Sequence, residues 1–134
     1  MQAIYSQALR EQSDSFSPSS IEIKKPVVFP VDWVKHELSM HPLDYARPFD
    51  IVLLTDCVFS ALLVKDLVST ILKYTGPRST VICCHEIRDE EANSAFLIEL
   101  SHHFTWKRVL KSKLNAEYTN DLIEIVIGKP KKTR

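Results

Sequence analysis

The chain has 134 residues, of which 45% are hydrophobic, and its 17 basic side chains balance 17 acidic ones. Zero net charge gives no global pull toward nucleic acid or an anionic membrane surface. No apolar run approaches the roughly 20 residues that cross a bilayer, and no charged-then-apolar leader opens the sequence. The length suits one domain, or part of one, with a real core. Cys57, Cys83 and Cys84 all lie in apolar contexts. Adjacent strand residues face opposite ways, so Cys83 and Cys84 are poorly placed to pair with each other. An odd count without C-x-x-C spacing reads as reduced packing cysteines, in a cytoplasmic protein or alternatively a nuclear one.

In residues 1–12, Ile4, Ala8 and Leu9 share one face of a predicted helix that starts without a capping residue. Residues 13–20 are rich in serine and read as a mobile loop. Val27, Val28, Phe29 and Val31 read as a short strand flanked by Pro26 and Pro30. Each proline removes a ladder donor, so this strand belongs at a sheet edge. Residues 36–49, with Pro42 and Pro48, read as irregular.

Residues 49–56 (Phe-Asp-Ile-Val-Leu-Leu-Thr-Asp) read as a buried central strand. An aliphatic run that ends in an acid is how a parallel strand delivers a carboxylate to the carboxyl edge of a sheet, where ligands bind. Asp56 is therefore a candidate functional residue; the plainer alternative is a strand-end turn or helix cap. Over residues 62–74, Val64, Leu67, Val68, Ile71 and Leu72 recur at helical spacing, and Gly76-Pro77 is the expected stop. Residues 80–84 form a second buried strand, ending at His85-Glu86, which reads either as a solvated strand end or as the lining of a channel.

Asp89, Glu90 and Glu91 open a second helix, with acids where the helix dipole favours them. That helix carries Ala92, Ala95, Phe96, Ile98 and Leu100 toward the core, with Phe104 and Trp106 beyond them. His102-His103 reads as a surface pair rather than a metal site. Residues 106–110 and 122–128 read as two further strands, too close in sequence for a helical crossover and so antiparallel. Residues 129–134, Lys-Pro-Lys-Lys-Thr-Arg, read as a solvated basic end.

A parallel β-α-β-α run that finishes in an antiparallel pair is the order found in the second half of the class I, seven-stranded methyltransferase sheet. The segments Phe-Asp-Ile-Val-Leu-Leu-Thr-Asp-Cys-Val-Phe (49–59) and Val-Ile-Cys-Cys-His-Glu-Ile-Arg (81–88) resemble the non-histone protein-lysine methyltransferases of the methyltransferase-like group. That group includes the enzyme acting on valosin-containing protein. The resemblance runs on through Phe104–Val109 and residues 122–129, so it covers residues 26–129. It implies an α/β fold: part of a class I, Rossmann-like sheet of parallel strands with a terminal antiparallel pair. It also implies S-adenosyl-L-methionine as cofactor and a protein substrate bearing a lysine, with neither nucleic acid nor membrane as partner. By the same resemblance Asp56 and Phe59 are the catalytic-side residues, Phe59 standing where the family has a tyrosine. Asp32, Trp33 and Thr55 fall on the cofactor side, with Asp32-Trp33 in the element that covers the adenine ring.

The family's acid-x-Gly-x-Gly-x-Gly loop has no counterpart, since the sequence holds only Gly76 and Gly128. The chain therefore reads as an amino-terminal helix and loop (1–25), the carboxyl-terminal part of a methyltransferase domain (26–129) and a basic tail (130–134). On this reading it is a truncated protein-lysine N-methyltransferase with impaired cofactor binding. In the family's strand order 3-2-1-4-5-7-6, a missing first strand leaves the fourth with an apolar edge open to self-association. The alternative is a non-catalytic α/β interaction fragment or isoform. A nucleotide-binding Rossmann fragment is weaker, because no G-x-G-x-x-G is present.

Overall fold

Residue 26, residue 28 and residues 30–35, 48–118 and 120–132 are described by a computed structural model. The helix expected over 1–12, the loop over 13–20 and most of the irregular stretch (36–47) lie outside the described residues. The regular secondary structure among the described residues begins where the aliphatic run begins. Strand β1 (Phe49–Thr55) leads through a 3-10 turn, Ala61–Leu63, into helix α1 (Val64–Tyr74) and then strand β2 (Thr75–Glu86). Helix α2 (Glu90–His103) follows, then strands β3 (Phe104–Arg108) and β4 (Ile123–Pro130), with two more 3-10 turns between them. The sheet order is β1-β2-β4-β3, with β1 parallel to β2 and β4 antiparallel to both neighbours. Numbered as in the class I sheet, that is 4-5-7-6, a partial Rossmann-like methyltransferase sheet as the resemblance implies.

Helix α1 is legible from its spacing. Val64, Leu67, Val68 and Ile71 are buried, with Leu72 packed beside them. Its stop is not the expected left-handed glycine. Thr75 turns straight into the extended conformation of β2, and neither glycine has a positive φ. Gly76 is instead required by contact, because a Cβ there would collide with the Pro48 ring. The hydroxyl of Ser79 ties this corner together, donating to the Phe49 carbonyl and accepting from the Gly76 amide.

Helix α2 starts as its acids predict. The Asp89 carboxylate caps it, accepting from the Glu91 and Ala92 amides at 2.8 and 3.1 Å. Ala92, Asn93, Phe96, Leu97 and Leu100 face inward. Ile98 does not: it lies two residues beyond Phe96, on the far side of a 3.6-residue turn, and is 62% exposed. Phe104 is fully buried and Trp106 packs on the core, as expected.

The two faces of the sheet differ. Leu54, Val81, Cys83, His85, Val126 and Gly128 are buried beneath the helices. The opposite face carries Ile51, Leu53, Ile82, Cys84, Ile125 and Ile127, all exposed or half-buried. Strand β1 was expected to be central and buried, but among the described residues it is an edge strand, with Leu53 71% exposed. Of the strand expected around Val28, Val27 and Phe29 lie outside the described residues; residues 26, 28 and 30–35 are not in the sheet, and Val28 is exposed. No helix among the described residues is long and apolar enough to cross a membrane.

The inward and outward positions of α2 make a direct test. Phe96→Ala should lower the unfolding free energy by about 3–5 kcal/mol, whereas Ile98→Ala should change it by less than about 0.5 kcal/mol. Urea denaturation of the two variants checks this.

Candidate active site

Strands β1 and β2 are parallel, so both end at the carboxyl edge of the sheet, where the aliphatic run gives way to Asp56. Asp56 has φ 51°, making it the only non-glycine described residue in left-handed backbone. Aspartate tolerates that region better than most residues, but for an L-residue it still costs energy and persists only where contacts hold it. Two contacts do so. The Asp56 amide donates to the Cys84 carbonyl at 3.0 Å, and its Oδ1 accepts from the Glu86 amide at 3.2 Å. The ends of the two motif strands are thus stitched through one residue, and Oδ2 has no role in the stitch.

Three residues after Asp56, Phe59 joins an aromatic pair. Phe59 is 54% exposed, and its ring centroid lies 6.1 Å from that of half-buried Trp33. Asp32 sits beside Trp33, with Oδ1 accepting from the Val34 and Lys35 amides at 2.9 and 3.0 Å. Thr55 is exposed at the end of β1. Among the residues predicted from the sequence, the structure therefore joins Trp33 to Phe59 directly, and places Asp56 and Thr55 at one strand end. Asp32 has one carboxylate oxygen committed to its own turn.

Sequence reasoning missed three partners. Glu86 is paired with Arg88, Nε to Oε2 at 2.8 Å, beside Asp56, so the Glu-x-Arg spacing closes on itself at the site rim. His85 is neither a solvated end nor a channel lining: it is 1% exposed. Its Nε2 lies 2.9 Å from Asn93 Oδ1, its Nδ1 3.5 Å from Cys83 Sγ, and its ring stands edge-on to Phe96. Buried Glu124 completes the cluster, accepting from Arg108 through Oε1 while Oε2 lies 3.9 Å from His85 Nε2 without a hydrogen bond. Asn93 had a signal, a polar residue in register with Phe96, Leu97 and Leu100 on the buried face of α2. His102 and His103 are surface residues beside Glu99, and no group of three potential metal ligands occurs among the described residues. A cleft of about 670 Å³ lined by Pro48, Phe49, Asp50, Pro77, Arg78 and Ser79 opens at the opposite end of the sheet and brings none of the candidate residues together.

The sheet order 4-5-7-6 is that of part of a class I methyltransferase sheet. Residues 19–103 match the lysine methyltransferase family. The chain belongs to that family, whose members transfer methyl groups to protein lysines with S-adenosylmethionine. The residues described here suit one side of such a cofactor: Trp33 offers a flat apolar ring and Asp32 and Thr55 offer polar atoms. They provide no glycine backbone cradle. Gly76 is pressed against Pro48 and Gly128 lies in β4 against Phe104, so both glycines are spent on packing.

Two predictions test this geometry. Asp56→Gly and Asp56→Ala both lose the carboxylate, but only alanine keeps the steric cost of positive φ. The alanine variant should therefore be less stable than the glycine variant by about 1 kcal/mol in urea denaturation. The second concerns pH. Burial pushes the Cys83 thiol up from its ordinary 9.0 to about 12. Below pH 9 the thiol keeps its proton whether folded or unfolded, and its contribution to stability is complete. As pH rises from 9 toward 12 only the unfolded chain ionises, so stability falls, at up to about 1.4 kcal/mol per pH unit. Denaturation midpoints of the native chain should drop over that window more steeply than those of Cys83→Ala.

Proposed function

We propose that this chain carries the substrate-side half of a protein-lysine N-methyltransferase. In this reading Asp56 and Phe59 meet the incoming lysine, and Asp32, Trp33 and Thr55 face S-adenosylmethionine. The observation that carries it is Asp56 itself, a carboxylate held in left-handed backbone at the carboxyl edge, next to an aromatic pair. Strain of this kind clusters at functional sites. The particular kinship with the enzyme acting on valosin-containing protein rests on the two strand-end motifs alone.

S-adenosylmethionine, when bound, supplies a methyl group already activated as a sulfonium. The chain's own task is to present a neutral lysine amine in line with it, so that the nitrogen–carbon bond forms as the carbon–sulfur bond breaks. Positioning outweighs acid–base work in such a displacement. The lysine ammonium gives its proton to solvent before attack; Asp56 Oδ2 accepts from the neutral amine and aligns its lone pair, and the methylated nitrogen leaves as a cation. Phe59 walls the channel and offers its ring face to the cationic product, a contact worth about 0.5–1 kcal/mol at an exposed site. The family tyrosine would add a hydroxyl here that Phe59 lacks.

The missing glycine cradle leads to weak cofactor binding by this chain alone. A second reading, a non-catalytic α/β interaction module, is favoured by a different observation: among the described residues an apolar sheet face carries no helix, and β1 lies at its edge. Through that edge the chain self-associates. The protein works in the cytoplasm, with the nucleus as the alternative compartment, and takes neither nucleic acid nor membrane as partner.

Calorimetry with S-adenosylhomocysteine should show no micromolar binding by the 134-residue chain; micromolar affinity would overturn the weak-binding reading. At cofactor concentrations well above that range, radiolabelled methyl should appear on lysines of lysate proteins. Asp56→Ala should lower the incorporation on the order of a hundredfold, and Phe59→Tyr should raise it. No incorporation at any cofactor concentration would leave the non-catalytic reading standing.

A further inference from the structure

His85 holds a place that neither reading of the strand end explains. Its Cα lies between two peptide groups, and each of them contacts Asp56. The peptide before it supplies the Cys84 carbonyl that accepts the Asp56 amide. The peptide after it supplies the Glu86 amide that donates to Asp56 Oδ1. Whatever fixes the orientation of His85 therefore fixes both grips on the candidate catalytic acid.

The imidazole is fixed from three elements. From α2, Asn93 Oδ1 lies 2.9 Å from Nε2, and Phe96 meets the ring at 83°. From β2, the Cys83 sulfur lies 3.5 Å from Nδ1. From β4, the Glu124 carboxylate lies 3.9 Å from Nε2, turned toward Arg108 by its other oxygen. The tautomer follows from these partners: with a carbonyl oxygen facing Nε2, that nitrogen carries the proton and donates to Asn93. Nδ1 then accepts from the Cys83 thiol, which burial keeps protonated. Asn93 is itself held one turn into α2, where the Asp89 side chain caps the helix. A buried polar pair with both ends satisfied is stiff, because rotating either member leaves a desolvated group without a partner.

We propose that His85, anchored by Asn93, is the positioning residue that holds the 84–86 backbone against Asp56 and so keeps that carboxylate in its left-handed, outward-facing pose. The role rests on the reading of Asp56 as the lysine-facing acid. It differs from a general contribution to stability because it predicts a local effect at one hydrogen bond. The β2–β4 ladder alone would hold the same backbone without the imidazole, and that is the rival account.

The test is NMR on the whole chain. In the native protein the Glu86 amide should show a scalar coupling across its hydrogen bond to the Asp56 carboxylate carbon, and the same amide should exchange slowly. His85→Leu keeps the ladder and the bulk but removes the donor. It should abolish that coupling and speed Glu86 amide exchange on the order of tenfold, while Val81 and Val126 amides keep their protection. His85→Gln, which can still present a side-chain N–H to Asn93, should restore both signals. Asn93→Ala removes the acceptor without touching β2, so it gives the same answer if the leucine variant fails to fold. The proposal is overturned if the Glu86 amide behaves natively in both the leucine and the alanine variants, or if glutamine behaves like leucine. Methyl transfer is not the readout, so the two ideas fail separately: a native Glu86–Asp56 signature in an inactive protein sinks the catalytic reading and leaves the positioning role intact.

Discussion

The hydrogen bonds between Asp56 and the end of β2 are the constraint on which the rest of the site depends. They are few, and they work against a backbone preference, since a left-handed aspartate is favoured by nothing local. They succeed because the parallel β1–β2 ladder delivers Cys84 and Glu86 alongside the last residue of the strand. The helices secure that delivery from one side, through the Phe96, Leu97 and Leu100 face of α2 and the Val64, Leu67, Val68 and Ile71 face of α1. Core packing thereby sets the direction of one carboxylate. The aromatic pair of Trp33 and Phe59 then stands against a fixed reference.

The same sheet is finished on one face and open on the other. Beneath the helices the inward positions interdigitate into a single core. Among the described residues the opposite face presents isoleucines from β1, β2 and β4 with no helix over them, and the exposed Asp50 is the one charge that β1 carries. Strand β3 at the other edge is protected differently: it is short, and Lys107 and Arg108 occupy its end. The same asymmetry underlies both readings of function, because the open side is where the family's cofactor half would stand and also where another protein surface would bind.

Much of this was legible in the sequence, and the failures have physical causes. The amphipathic spacing of α1 and the acids at the start of α2 report directly on burial and capping, so both helices and the mixed sheet order were readable. Asp56 was readable because an aliphatic strand ending in an acid has few purposes. Strand β4 shows the limit: its regular Ile123, Ile125 and Ile127 suggest the core face, yet the buried side is Glu124, Val126 and Gly128. Alternation reveals two faces but not which one a helix will cover. His85 misled for a related reason, since a polar residue at a strand end reads as solvated until Asn93, eight residues later, is folded back onto it. The edge position of β1 depends on which strands lie beside it, and no property of its own residues encodes that.

The claim that everything else rests on is the pose of Asp56, and its backbone geometry can be measured directly. In an isotopically labelled sample, a residue with positive φ gives a strong intraresidue amide-to-Hα nuclear Overhauser effect, and neighbouring strand ends give contacts across the sheet. The account predicts that strong intraresidue signal at Asp56, together with a cross-strand contact between Asp56 and Glu86. An Asp56 with the weak intraresidue signal of an extended strand and no contact to Glu86 would contradict it.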